Sequence, residues 1–229
     1  MLYYGDIYYL ILVVPALIIA MIAQAKVQSA YTKYEKVRSA RGYTAKDITR
    51  RILDDNGLSD IRIERVAGNL TDHYDPRAGV IRLSDSVMNS TSVAAIGVAA
   101  HEAGHAVQRK EEYFPIKLRN TILPVAQFAS GAAIPLALIG FIFGAQLLVS
   151  IGIILFAATV LFQVVTLPVE FDASKRAMQT LRESGYLEGE ELSGAKKVLT
   201  AAAMTYVASA LVSLMNLLRL VLLSRNRRD

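Results

Sequence analysis

The chain of 229 residues contains no cysteine and no tryptophan, and only three histidines. Without cysteine there is no disulfide framework, no thiol nucleophile and no cysteine-ligated zinc, so any metal must be held by imidazole and carboxylate. Charge is also missing, over one long stretch: from Asn120 to Val169 there is no Asp, Glu, Lys or Arg. That run is roughly twice the length one spanning helix needs. It reads as a helical hairpin over 121–168 with its turn near Gly144-Ala145-Gln146. Residues 7–23 (IYYLILVVPALIIAMIA) are equally uncharged, with Tyr8 and Tyr9 as interfacial anchors, and read as a first transmembrane helix within 7–25. The preceding MLYYGD has no basic n-region, and no small-residue cleavage site follows, so the segment is expected to remain as an anchor.

What the chain does have is apolar and basic. Hydrophobic residues make up 53%, against about 45–50% in an ordinary soluble domain. The net charge is +5. In a membrane protein Lys and Arg first report orientation. Sixteen of them lie between Lys26 and Arg119 and five between Lys175 and Lys197, with none in the N-terminal tail or the hairpin tip. Both basic segments are therefore expected in the cytoplasm, and two crossings separate them, which places them on one face independently. The last apolar segment, 199–223, contains Asn216 and Arg219 and precedes Arg225, Arg227 and Arg228. Spanning would put this tail outside, whereas an interfacial or docked helix would keep it inside; spanning is the preferred reading. Nucleic acid is not expected as a partner, because anionic lipid headgroups account for the basic residues between 26 and 51 beside a transmembrane helix.

The cytoplasmic portion, 26–120 with 169–198, has the size of one compact domain in two pieces. Thr44-x-x-Asp47 ahead of Ile48, Ile52 and Leu53 predicts a capped amphipathic helix. Ile61, Ile63 and Val66, then VIRLS from Val80 to Ser84, predict two strands forming a small hairpin about the turn-rich TDHYDPRAG. SVAAIGVAAHEAGHAVQRK, with Ser90 and Ser92 as candidate caps, reads as a helix. The expected fold is mainly α and integral to the membrane, with three to four transmembrane helices and an α+β domain holding a small β-hairpin or sheet.

Residues 101–105 read His-Glu-Ala-Gly-His. A spacing of four stacks His101 and His105 on one helix face, where both imidazoles reach one zinc ion, with Glu102 beside them. The bland alternative, two histidines merely packed in a buried helix, is costly because imidazoles resist burial without partners. A catalytic zinc needs a third protein ligand and an open position. Glu170, in PVEFDASKR, is the first charge met after the uncharged hairpin and is a candidate; Asp172 is the alternative ligand. On position alone, Glu170 serves equally well as a helix cap after Pro168 or as a partner of Lys175 or Arg176.

HEAGHAVQ, LTDHYDPR followed by RLSDSV, and VEFDASKRA together resemble the YugP-type neutral zinc metallopeptidases of bacterial membranes, over nearly the whole chain. That family resembles gluzincins, so the resemblance implies a gluzincin-like metallopeptidase domain with one Zn2+ per chain. It further implies His101, His105 and Glu170 as ligands and Glu102 as general base. Related membrane gluzincins show Glu-x-x-x-Asp at the third ligand; here the fourth position after Glu170 is Ser174. The acidic partner of a ligating histidine is then replaced by Ser174 or supplied by Asp172.

The resulting expectation is a membrane-anchored zinc endopeptidase in the bacterial inner membrane, multi-pass, with its site on the cytoplasmic side. It would act on protein or peptide substrates such as membrane-protein segments or unfolded chains. The other class considered is a non-catalytic zinc-stabilised scaffold. Candidate oxyanion donors are His73, Tyr74 and Tyr206, His73 alternatively being a turn histidine held by Asp72 or Asp75. The hairpin before the histidine helix is expected to offer an edge strand to an extended substrate. The oligomeric state is open, since the small residues of SGAAIPLALIGFIFGA serve packing within or between chains alike.

Overall fold

The computed structural model describes residues 6–225. The head MLYYG and the arginines Arg227 and Arg228, on which the anchor and tail readings partly rest, lie outside the described residues. Two compact units are present: one of residues 1–24, 117–168 and 205–229, the other of 25–116 and 169–204.

The first unit is built from apolar helix. A π-helical turn, Tyr9–Val13, leads into α1, Val14–Tyr34. Pro15 has no N–H and a ring that crowds the carbonyl four residues back, so the wider turn precedes it. Three more long helices contribute: α4, Phe114–Phe143; α5, Gln146–Glu183; and α6, Gly189–Arg225. Together with Tyr9–Tyr34 they make four helices long and apolar enough to cross a membrane. Between α4 and α5 the chain reverses at Gly144, whose φ of +67° a residue with a side chain adopts only at a cost. A Cβ on Gly140 would lie 2.6 Å from Val149 N, and one on Gly152 2.8 Å from Ala133 O. The hairpin thus uses its small residues within the chain. Large apolar side chains such as Ile11, Phe128, Phe143, Leu147 and Ile154 stay more than half exposed, a surface suited to hydrocarbon.

At one end of this unit Arg219 of α6 is paired with Asp6 and lies over the Tyr9 ring at 5.2 Å. Gln146 Nε2 donates to Ser224 Oγ at 2.8 Å. The head of α1, the start of α5 and the end of α6 are therefore together, and the charge of Arg219 is compensated inside the apolar unit.

The second unit centres on α3, Val93–Lys110. Ser92 caps it, its Oγ accepting from Ala95 N at 3.2 Å. Eight Ala and Gly residues along α3 leave its surface low, so neighbours come close: Gly97 faces Ala195 of α6 and Gly104 faces Ala173 of α5. Helix α2, Ala45–Asp55, begins with the predicted reciprocal cap. Thr44 Oγ1 accepts from Asp47 N at 3.2 Å, and Asp47 Oδ2 accepts from Thr44 N at 3.0 Å. Ile48, Leu53, Ile81, Leu83, Ile96, Leu181 and Leu187 form the core.

The predicted two-strand hairpin is corrected. Strand β1, Arg62–Val66, pairs with β3, Val80–Ser84, in parallel, from Arg62 opposite Val80 to Val66 opposite Ser84. The segment read as turn contains β2, His73–Asp75, antiparallel to β3, so the order is β1-β3-β2. Only DPRAG is turn. Asp75 Oδ1 accepts from Arg77 N and Ala78 N there, and Asp72 pins the other end by accepting from Ser84 N and Oγ. A second correction concerns Pro168, which lies inside continuous α5, so Glu170 does not cap a helix.

Candidate metal centre

Because His101 and His105 are one helical turn apart on α3, their rings share a face, with centroids 4.7 Å apart and planes at 81°. Helix α5 brings Glu170 to the same point: its Oε2 lies 3.3 Å from His101 Nε2 and 3.6 Å from His105 Nε2. The side chains are only 14%, 12% and 5% exposed in the order His101, His105, Glu170. Among the described residues these three are the group of His and carboxylate donors, mutually within 4.8 Å, that can hold a metal ion. Asp172, the alternative ligand, is not in that group.

The donor set fits zinc. A tetrahedral ion with bonds of about 2.0–2.1 Å has ligand–ligand edges of about 3.3–3.4 Å, close to the two distances from Glu170 Oε2. The remaining ring nitrogens are occupied elsewhere, which turns both Nε2 atoms to the common point. His101 Nδ1 is 3.1 Å from Ser174 Oγ and His105 Nδ1 is 3.0 Å from Gln108 Oε1. Burial alone would lower the His105 pKa, but the Glu170 and Glu102 carboxylates and the Gln108 acceptor outweigh it and hold the imidazole above its ordinary value.

Of the two substitutes for the absent acidic residue, Ser174 is the one at His101. Asp172 acts one step away: Gln108 Nε2 donates to Asp172 Oδ2 and to Val169 O, both at 2.8 Å. Gln108 is fully buried and was not anticipated. The one available signal was its position three residues after His105, on the same helix face.

Glu102 is almost fully buried, and its Oε2 accepts from the backbone N–H of Tyr74 at 2.9 Å. Tyr74 belongs to edge strand β2, and this amide points away from β3. The outer edge of β2 therefore borders Glu102, which takes its Tyr74 amide. His73 is exposed: its Nδ1 donates to Thr71 O at 2.9 Å, and Arg82 Nη1 donates to its Nε2 at 3.4 Å. It is a strand residue of β2, not a turn histidine, and its ring is held by these two groups rather than by Asp72 or Asp75. Tyr206 belongs to the first unit, on α6.

A family profile described as "Putative neutral zinc metallopeptidase" matches residues 9–225. The chain is 50% identical over 221 residues to "Putative membrane protease YugP" of Bacillus subtilis (strain 168), covering 96% of this chain and 98% of that one. No solved structure matches. With the match running from the first apolar helix to the end of α6, the chain belongs to the family described as "Putative neutral zinc metallopeptidase".

Proposed function

We propose that the protein is a membrane-anchored zinc endopeptidase of gluzincin type, with His101, His105 and Glu170 as zinc ligands and Glu102 as general base. The observation that carries this reading is the convergence of two imidazole nitrogens and one carboxylate oxygen beside a second carboxylate left out of the cluster. A structural zinc site closes its fourth position with protein, whereas this one offers three ligands and a neighbouring base. When bound, the ion supplies Lewis acidity, lowering the pKa of water and polarising the scissile carbonyl.

The chain's own residues do the rest. Glu102 takes the proton of the attacking water and returns it to the leaving amine. The Tyr74 N–H holds one oxygen of Glu102, which leaves the other for the proton. An extended substrate pairs with the groups of the outer edge of β2 that remain once Glu102 holds the Tyr74 N–H, giving backbone-directed, weakly sequence-specific binding. His73 is left out of the mechanism because both its ring nitrogens are engaged. The basic segments, Lys26 to Arg119 and Lys175 to Lys197, favour the cytoplasmic side for the site.

The test is cleavage of an unfolded protein by the purified, zinc-loaded chain in detergent, beside Glu102→Gln prepared identically. The variant is expected to keep zinc and lose turnover by several orders of magnitude. Equal cleavage by both would remove Glu102 from the mechanism, and silence of both with zinc bound would favour a zinc-stabilised scaffold.

A further inference from the structure

We infer that Gln108 dictates which ring nitrogen of His105 carries the proton, and that Asp172 acts on the metal centre through Gln108 without touching it. This deepens the metallopeptidase reading and rests on it. A glutamine amide has a donor end and an acceptor end, and which end faces which way follows from the surrounding partners. Gln108 Nε2 lies 2.8 Å from both Val169 O and Asp172 Oδ2, a carbonyl and a carboxylate, neither of which donates. The NH2 group must therefore point to α5, and Oε1 must face His105 Nδ1 at 3.0 Å.

An acceptor at that place requires a proton on Nδ1, which leaves the Nε2 lone pair directed at the point shared with Glu170. Gln108 is fully buried, so bulk solvent does not reach its amide. The arrangement is asymmetric. Ser174 Oγ beside His101 Nδ1 can donate or accept, so it supports that ring without selecting its tautomer. Behind Gln108, Asp172 is itself fixed as an acceptor by Arg176, which also binds Glu111. The order is thus Arg176, Asp172, Gln108, His105, linking α5 to the ligand on α3. Gln108 and Asp172 are positioning residues.

The test is a double-mutant cycle on zinc affinity, measured by competition with a chromophoric chelator on the full chain in detergent. Gln108→Met keeps length and volume but leaves the Nδ1–H without an acceptor. It is expected to weaken zinc binding about 10- to 100-fold. Asp172→Ala alone should also weaken it, and should add nothing further in the Gln108→Met background. Zinc affinity of Gln108→Met within twofold of wild type, or an equal cost of Asp172→Ala in both backgrounds, overturns the inference.

If Gln108→Met does not fold, Asp172→Ala is read by nuclear magnetic resonance of the histidine-labelled, zinc-loaded protein, where only three imidazoles need assignment. Faster solvent exchange of the His105 Nδ1–H with that of His101 unchanged supports the relay; identical exchange at both overturns it. A wild-type chain that fails to bind zinc would instead sink the metallopeptidase reading itself, which separates the two failures.

Discussion

Gly104 sits between the two histidines, and a Cβ there would lie 2.8 Å from Ala173 O and 3.4 Å from its Cα. Those are backbone atoms of α5, so they yield only if the helix moves. Glu170 is three residues before Ala173 on the same helix and would move with it. Gly104→Ala is therefore expected to cost about 1–3 kcal/mol of stability by overpacking and to weaken zinc binding about tenfold or more, read by thermal unfolding and chelator competition. Unchanged zinc affinity in a folded variant would show that this contact does not set the position of Glu170. The same residue scale explains what was legible beforehand. His101, Glu102 and His105 are readable because a spacing of four is a local fact of helix geometry. Gln108 was not, because its partners Val169 and Asp172 are 61 and 64 positions away and only packing brings them to it.

Among the elements, α2 and β2 carry contrasting lessons. The α2 cap is written in adjacent residues, and the structure has it as read. The Thr44 hydroxyl bonded to Asp47 holds that carboxyl below its ordinary value. A carboxyl with a depressed folded pKa stabilises fully above its unfolded value near about 3.9 and loses that contribution as pH falls through the lower folded value. Thr44→Ala should thus cost about 1 kcal/mol at neutral pH and show a flatter loss of stability on acidification than wild type, both by chemical denaturation. A cost that persists unchanged at pH 2 would argue that the cap acts through packing alone. Strand β2 was hidden because three residues are too few for an alternating pattern, and its register comes from Asp72 reaching Ser84 twelve residues on. The parallel pairing of β1 with β3 was hidden for another reason: nothing between Val66 and Val80 signals a crossover. Since the Tyr74 amide lies on the free edge, proline there deletes the bond to Glu102 and spares the ladder. Tyr74→Pro, compared with Tyr74→Ala to control for the lost ring, should lower kcat about tenfold or more, the value of one hydrogen bond to a charged group. Equal kcat in the two variants would remove that amide from catalysis.

For the whole molecule the open matter is how many times the chain crosses the membrane, and the absence of cysteine makes it directly measurable. The conflict over 199–223 arose because Arg219 and the arginines after it counted against a fourth span. The Asp6 partner of Arg219 weakens that objection, since a compensated charge no longer argues against an apolar setting. The contact of Gln146 with Ser224 further sets the end of α6 beside the turn that follows α4. Four crossings then place Asp6, Gly144 and Ser224 on one side, and the sixteen and five basic residues of the intervening segments on the other. Single substitutions Ala145→Cys, Arg225→Cys and Lys197→Cys in the otherwise cysteine-free chain should label accordingly with a membrane-impermeant maleimide. The first two are expected to react in intact cells and the third only after the membrane is opened. Labelling of Arg225→Cys together with Lys197→Cys, and apart from Ala145→Cys, would mean that α6 does not cross. The three arginines from Arg225 onward would then lie with the other basic segments, and α6 would have to be an interfacial helix.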